Sequence, residues 1–383
     1  MLKIFVTGDN HIGKKYDRYP DVKEQLIQSR FDSMRDMVRQ AEREGCGLFA
    51  VTGDLFDNIS TVRAGDVKQA AEILAEFSGT VLVLPGNHDY YTGDEQVWKN
   101  FEKALQNQAH NIVLLNEFRE YSFDIGDEQA VIYPAFCHSK HSKENNLAWI
   151  KETEIPKDSA YRVGIAHGAI AGITPDMKEE YFLMTEKELL GIPVDVWLLG
   201  HTHIPYPDLK ENGDTAGYKI FNAGTHEQTD LHNNTEGCCF VITLEKSDKK
   251  TSVSAHKYVS GRVRYFDLEL NVKADEGNPL EERLEEITSG LGQNSVVRVK
   301  ISGTVKQDEY EERAKIYRTV LNRFLTYETE DSGLSPEITI EKIRSEFSEL
   351  SFAARFMEHF LDNPAELQMA YELVQQCRED MGK

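Results

Sequence analysis

Short apolar runs, each stopped abruptly by a polar cluster, set the pattern of this chain. Leu2–Thr7, Leu48–Thr52, Val81–Leu84, Arg162–Ala166 and Val194–Leu199 read as buried strands. Between the first two, Leu26, Phe31, Met34, Met37, Val38 and Ala41 recur at helical spacing and predict a long helix over 22–43. A second helix, 64–77, precedes the third strand. Near-continuous apolar strands followed by helices predict an α/β fold with sheets covered on both faces.

From Tyr218 the pattern changes. Tyr218–Asn222, Cys238–Leu244 and Ser252–Tyr258 read as antiparallel strands, the last two joined by a polar turn over 245–250. A second unit opens with a strand at 263–270. Asn278-Pro279-Leu280-Glu281 then places Asn at a helix cap, Pro at the first helical position and Glu at the third. Val296–Ile301 alternates as a strand, and 309–325 returns to helical spacing. The tail is helical throughout. Asn363-Pro364-Ala365-Glu366 repeats the cap, and Leu367, Ala370, Tyr371 and Val374 then share one face. The division expected is 1–267 for an α/β domain, 268–340 for a small α+β domain and 341–383 for a helical tail. The tail's apolar face suits its own domain or a partner, since both uses share the spacing.

Composition changes this picture little. A chain of 383 residues is long enough for two domains, and 40% hydrophobic with 28% charged residues is ordinary for a globular protein. No apolar run is long enough to span a membrane. The start runs straight into Leu2-Lys3-Ile4-Phe5-Val6, which reads as a strand rather than a signal peptide. Five scattered cysteines without a C-x-x-C pair fit reduced thiols and a cytoplasmic setting. Adjacent Cys238 and Cys239 read as strand residues facing opposite sides. The formal net charge of −22 predicts weak binding to DNA by this chain alone.

The chemistry lies where the apolar runs stop. The clusters are Asp9-Asn10-His11, Gly53-Asp54, Gly86-Asn87-His88-Asp89, His167-Gly168 and Gly200-His201-Thr202-His203. Ligands at strand ends converge on one side of an α/β sheet. Asp9 and His11, two apart, would face the same way on an extended segment and hold one metal. Asp54 can share its oxygens between two cations, Asn87 offers an amide oxygen, and His167, His201 and His203 complete the set. This mixture suits manganese, iron or zinc better than calcium. Two such ions about 3.5–4 Å apart can clamp the attacking and leaving oxygens of a phosphate ester. His88 is free to act as an acid or to stabilise phosphoryl charge, with Asp89 placed to fix its tautomer.

Other residues invite both readings. His138 and His141 read as a solvated loop. Asp57 can cap the next helix or support a ligand. Lys14, Lys15, Tyr16 and Arg18 follow the first cluster and can contact phosphate or simply face solvent. His226, in Asn222-Ala223-Gly224-Thr225-His226-Glu227, is a candidate substrate contact.

The order of clusters resembles the calcineurin-like metallophosphoesterase superfamily, with its D-x-H, G-D, G-N-H-[DE], lone His and G-H-x-H series. The resemblance covers residues 1 to about 260. Within that superfamily the chain resembles the SbcD-type nuclease subunit of bacterial double-strand-break repair. Gly53-Asp54-Leu55-Phe56-Asp57, the 222–227 loop and Gly237-Cys238-Cys239-Phe240-Val241 carry the narrower likeness. It implies a four-layer α/β/β/α sandwich followed by an α+β capping domain. It also implies a first metal on Asp9, His11, Asp54 and His203, and a second on Asn87, His167 and His201 with Asp54 bridging. His88 would then be the acid, supported by Asp89. Further implications are two Mn2+ ions, DNA cleavage by an activated water, a homodimer, and a coiled-coil ABC-type ATPase of the SbcC type bound near the C-terminus. Asp57 stands where another branch has His, and Thr225 where Ser is usual. The competing expectations are a phosphatase or phosphodiesterase for small esters, and a scaffold with structural metals. The added domain weighs against the first, and a free His88 against the second.

Overall fold

The computed structural model describes residues 1–106, 111–156, 160–174, 178–209, 217–247, 250–274, 277 and 279–381. It divides into two compact units, Met1–Tyr265 and Phe266–Lys383.

The first unit runs β1 (Leu2–Thr7), α1 (Lys23–Glu44), β2 (Leu48–Val51), α2 (Ala64–Ala75), β3 (Thr80–Val83), α3 (Gln96–Leu105) and β4 (Ile112–Leu114). It continues through β5 (Tyr121–Ile125), β6 (Glu128–Ala135), α4 (Ala148–Glu152), β7 (Tyr161–His167), α5 (Glu186–Gly191), β8 (Val196–Gly200) and β9 (Ile220–Asn222). It closes with β10 (Cys238–Ser247) and β11 (Lys250–Val259). One six-stranded sheet has the order β11-β10-β1-β2-β3-β4; a five-stranded sheet has the order β5-β6-β7-β8-β9.

Alternation within each strand builds the layers. Leu2, Ile4 and Val6 of β1 pack between the sheets with Leu48, Ala50, Val163, Ile165, Val196 and Leu198. Phe5, Phe49 and Val51 point the other way, onto Phe31, Met34 and Val38 of α1 and Val67, Ala71 and Leu74 of α2. On the far side of the second sheet, Trp197 and Leu199 meet Ile150 of α4 and Leu189 of α5. The result is the helix–sheet–sheet–helix arrangement of a four-layer α/β sandwich.

One strand differs from expectation. The segment at 218–222 does not continue an antiparallel series: β9 pairs in parallel with β8, Trp197 opposite Ile220. Three residues are too few for alternation to reveal direction. The β10–β11 pair is antiparallel, although 248–249 of its turn lie outside the described residues. Cys238 bonds Ala223 O on one face of β10, while Cys239 joins the helix-side core. All five cysteines are free.

The second unit holds β12 (Arg264–Val272), α6 (Leu280–Thr288), β13 (Ser295–Val305), α7 (Gln307–Leu321) and β14 (Thr326–Pro336). Its sheet has the order β12-β13-β14, with β13 and β14 parallel. Val297, Val299 and Ile301 pack with Leu284 of α6 and Val320 and Leu321 of α7. Pro279 precedes the first turn of α6, and Asn278 lies outside the described residues. The chain ends in α8 (Ile340–Glu346), α9 (Phe352–Glu358) and α10 (Pro364–Met381), joined by a cluster that includes Ile343, Met357, Leu367 and Ala370. Asn363 Oδ1 accepts from Glu366 N at 3.4 Å, as the cap pattern requires. No described helix is long and apolar enough to cross a membrane.

Candidate dimetal site

Every cluster at a strand end of the first unit turns toward one point. Asp9 and His11 do so through curled rather than extended backbone. Both have left-handed φ, 49° and 45°, as do Asp54 at 51° and His201 at 95°. Such backbone is costly for residues with a Cβ and persists where surroundings over-determine it. Here they do. Asp9 N donates to Gly53 O at 3.0 Å, His11 N to Asp54 O at 2.9 Å, and Thr225 Oγ1 to Asp9 O at 2.9 Å. The guanidinium of Arg30, buried in α1, donates to Asn10 O through Nε at 3.0 Å and Nη2 at 2.7 Å.

His11 Nε2 and His203 Nε2 face each other at 3.1 Å. Burial lowers the His11 pKa, and burial with His11 beside it pushes His203 down to about 2. Both rings are therefore neutral. Asp9 Oδ1 lies 3.7 Å from His203 Nε2, and Asp54 Oδ2 3.9 Å from His11 Nε2. His11 Nδ1, buried without a hydrogen bond, faces Asp57 Oδ1 at 3.4 Å.

A second group adjoins. Asn87 Oδ1 lies 3.0 Å from His167 Nε2 and 2.9 Å from His201 Nδ1. His167 Nδ1 faces Thr52 O at 2.9 Å, an arrangement that turns Nε2 inward. Asp54 Oδ2 is 3.4 Å from His167 Nε2, so one oxygen borders both groups. Burial works against the charge of Asp54, yet His167, His11 and His88 hold its pKa below the carboxylate range. Burial pushes Asp9 up to about 8, with Asp54 adding to the rise. Burial also opposes a charge on His167, but Asp54 and Asp9 raise it to about 9. Convergent imidazoles, an amide oxygen and two carboxyl groups form a donor set suited to divalent cations once their protons are shed. Asp9, His11 and His203 form one such group, and Asp9, Asp54 and His167 another.

Asp89 departs from expectation. Among the described residues its carboxyl makes no hydrogen bond to the His88 ring. Its Oδ2 accepts from Phe56 N at 3.0 Å and its Oδ1 from Gly86 N at 2.6 Å. A carboxyl with no exposed surface takes the backbone donors at hand: Gly86 N closes the 86–89 turn and Phe56 N ties that turn to the segment after Asp54. Asp57 orients His88 instead: its carbonyl lies 2.9 Å from His88 Nδ1, leaving Nε2 free. Asp89 thus frames the loop and His88 alone faces the site.

The remaining candidates separate. His226 is fully buried, its Nε2 3.1 Å from Arg30 O, so it contacts no substrate. Its loop still serves the site through Thr225. Tyr16 is buried with its hydroxyl 3.1 Å from Arg30 Nη1, whereas Lys15 and Arg18 are exposed. His138 and His141 are exposed; His141 lies beside Tyr181, whose ring is 5.0 Å from that of His201. Arg30 went unnoticed in the sequence. Its signal was there: it interrupts the apolar row Leu26, Met34 and Val38 at a four-residue step.

A family model described as calcineurin-like phosphoesterase matches residues 2–205. An uncharacterized metallophosphoesterase, YhaO of Bacillus subtilis (strain 168), is 27% identical over 214 residues, covering 51% of this chain and 50% of that protein. The chain thus matches about half the length of this curated relative. Among solved structures, the calcineurin-like phosphoesterase YfkN from Bacillus subtilis is 14% identical at a TM-score of 0.39, covering 68% of this chain and 90% of that one. The purple acid phosphatase PPD1 from yellow lupin (Lupinus luteus) is 14% identical at a TM-score of 0.40, covering 68% and 51%.

Proposed function

Because the chain belongs to the calcineurin-like phosphoesterase family, we propose that it hydrolyses phosphate esters and, more narrowly, that it is a metal-dependent DNA nuclease of the SbcD type. The observation that carries this reading is two adjoining donor groups, Asp9, His11 and His203 beside Asn87, His167 and His201, with Asp54 Oδ2 bordering both and His88 Nε2 left free beside them.

Asp9, His11, Asp54 and His203 would hold one ion, and Asn87, His167 and His201 the other, with Asp54 shared. Manganese is the expected metal. Two bound cations would polarise the phosphoryl group and lower the pKa of the attacking water. The chain's own residues do the rest. His167 is oriented by Thr52 O, and Asp9 by the backbone N–H of His201 at 3.0 and 3.1 Å. Arg30 fixes the turn between Asp9 and His11. His88, with Nδ1 donating to Asp57 O, presents Nε2 to protonate the leaving oxygen or hold phosphoryl charge.

The partners follow at the same level. A homodimer and a coiled-coil ABC-type ATPase of the SbcC type belong to this proposal. Exposed Leu350 and Phe352, 78% and 83% accessible, and an apolar recess of about 510 Å3 between α9 and α10 suit a partner's apolar side chains.

The test is manganese-dependent cleavage of end-labelled linear single- and double-stranded DNA, beside Asp54→Ala and His88→Ala. Cleavage by the wild type, lowered at least about a hundredfold in both variants, is expected. Turnover of bis-p-nitrophenyl phosphate with all DNA left intact would replace the nuclease reading with a small-ester phosphodiesterase. Full activity in His88→Ala would remove His88 from the reaction.

A further inference from the structure

Lys14, Lys15, Lys23 and Arg63 line a recess of about 50 Å3 where the first ligand turn meets the start of α2. Four cations in one small space stand out in a chain of net charge −22. Lys23 is paired with Asp17 at 2.5 Å. Lys14, Lys15 and Arg63 make no side-chain hydrogen bond or ion pair among the described residues. Asp57 and Asp230 act on Lys14 only through space, whereas Asp66 acts on the Arg63 guanidinium through space and also accepts from the Arg63 backbone N–H. Asp66 is the one carboxylate in the lining, and burial raises its pKa.

Two further features point to a ligand. Lys14 is half-buried, with the Arg30 guanidinium repelling it through space. A partly desolvated ammonium without a partner is costly, and an incoming anion would relieve that cost. The recess is also tied to the metal site. Lys14 N donates to His11 O at 3.1 Å. Gly13, at φ +91°, lies so close to Val62 that a Cβ would come within 2.7 Å of its Cγ2. The cations therefore follow the ligand turn directly and are braced against the segment that leads into α2.

We propose that this recess binds a second phosphate of the substrate, next to the one hydrolysed, and so selects a nucleic-acid strand over a single phosphate ester. This rests on the reading that the adjoining site cleaves phosphodiesters. Three unpaired cations match a strand's repeating charge, and each contact positions the strand without reading its sequence.

The test uses the full chain and the double variant Lys15→Gln/Arg63→Gln, both positions being exposed. Fluorescence anisotropy follows a labelled single-stranded oligonucleotide over a series of salt concentrations, without added metal so that nothing is cut. The variant is expected to bind about tenfold more weakly, and its salt slope to fall by about 1.4, from roughly 0.7 per cation. An unchanged affinity and slope overturns the proposal. So does a loss confined to inorganic phosphate binding, which would mark a site for free phosphate. Manganese-dependent turnover of bis-p-nitrophenyl phosphate keeps the two readings apart. Turnover with oligonucleotide binding unchanged in the variant sinks the recess alone. Weakened binding in the variant, with no ester cleaved by the wild type, sinks the hydrolase reading and leaves the recess standing.

Discussion

If the strand-end cluster holds the proposed ions, protonation there sets how it takes them up. Asp9 is held up to about 8 by burial, and His167 up to about 9 because Asp54 and Asp9 outweigh its burial. Below these values the metal-free cluster holds protons shared over the pair, His167 keeping its own to the higher pH. A ligand must shed that proton to bind a cation. For His167 the folded pKa lies above its ordinary value, so its contribution to metal-free stability is complete below about 6.5 and is lost as pH rises through about 9. Metal competes with those same protons. Affinity for manganese should therefore rise with pH between 7 and 9, by up to about tenfold per unit for each proton released. Titration calorimetry at pH 7 in buffers of different ionisation enthalpy is expected to show release of at least about one proton per loaded site. Release near zero, with affinity flat from pH 7 to 9, would mean that neither Asp9 nor His167 is a ligand.

Glycines let the elements come close enough to place those ligands. A Cβ on Gly86, three residues beyond β3, would lie 2.2 Å from Asp54 Oδ1 and 2.4 Å from Asp54 N. Gly86→Ala must displace Asp54, the residue both groups share, and is expected to weaken metal affinity by about ten- to a hundredfold. Gly65, in the first turn of α2, has no atom within 4 Å of such a Cβ. There Gly65→Ala should raise stability by about 0.5–1 kcal/mol and leave metal affinity alone. Equal metal affinity in the two variants, read by calorimetry beside thermal melts, would refute this account of Gly86. The same contrast explains what the sequence could show. Asp54, Asn87 and His167 were legible because each follows a buried apolar run, and a run of that kind ends at the sheet edge. The partners of those residues were not. Asp57 O meets His88 across 31 positions, Arg30 reaches Asn10 across 20, and Thr225 reaches Asp9 across 216. Such pairs follow from packing rather than from local spacing. β14 escaped for another reason: Thr-Tyr-Glu-Thr-Glu-Asp-Ser-Gly-Leu-Ser-Pro buries only Leu334, so no apolar alternation marks it. The β5–β6 hairpin was missed likewise, its first strand burying only Tyr121.

At the scale of the whole molecule each apolar core found among the described residues belongs to one unit. Among the described residues, clusters of the first unit draw on residues up to Tyr258, and those of the second begin at Phe266. Each unit thus has the interior that cooperative unfolding requires. The candidate ligands, Asp9 to His203, all lie in the first unit. An ion that binds only the folded form stabilises the unit that holds it, by about 2.7 kcal/mol at a hundred times its dissociation constant. For a unit of this size that corresponds to a rise of roughly 5–10 °C in its midpoint. Scanning calorimetry of the full chain is therefore expected to resolve two transitions. Manganese should move only the one belonging to the first unit, and a chelator should return it. Asp54→Ala should abolish the shift while leaving the second transition in place. A single transition that moves as a whole would show that the two cores unfold together. A shift of the other transition would place the ion outside the strand-end cluster.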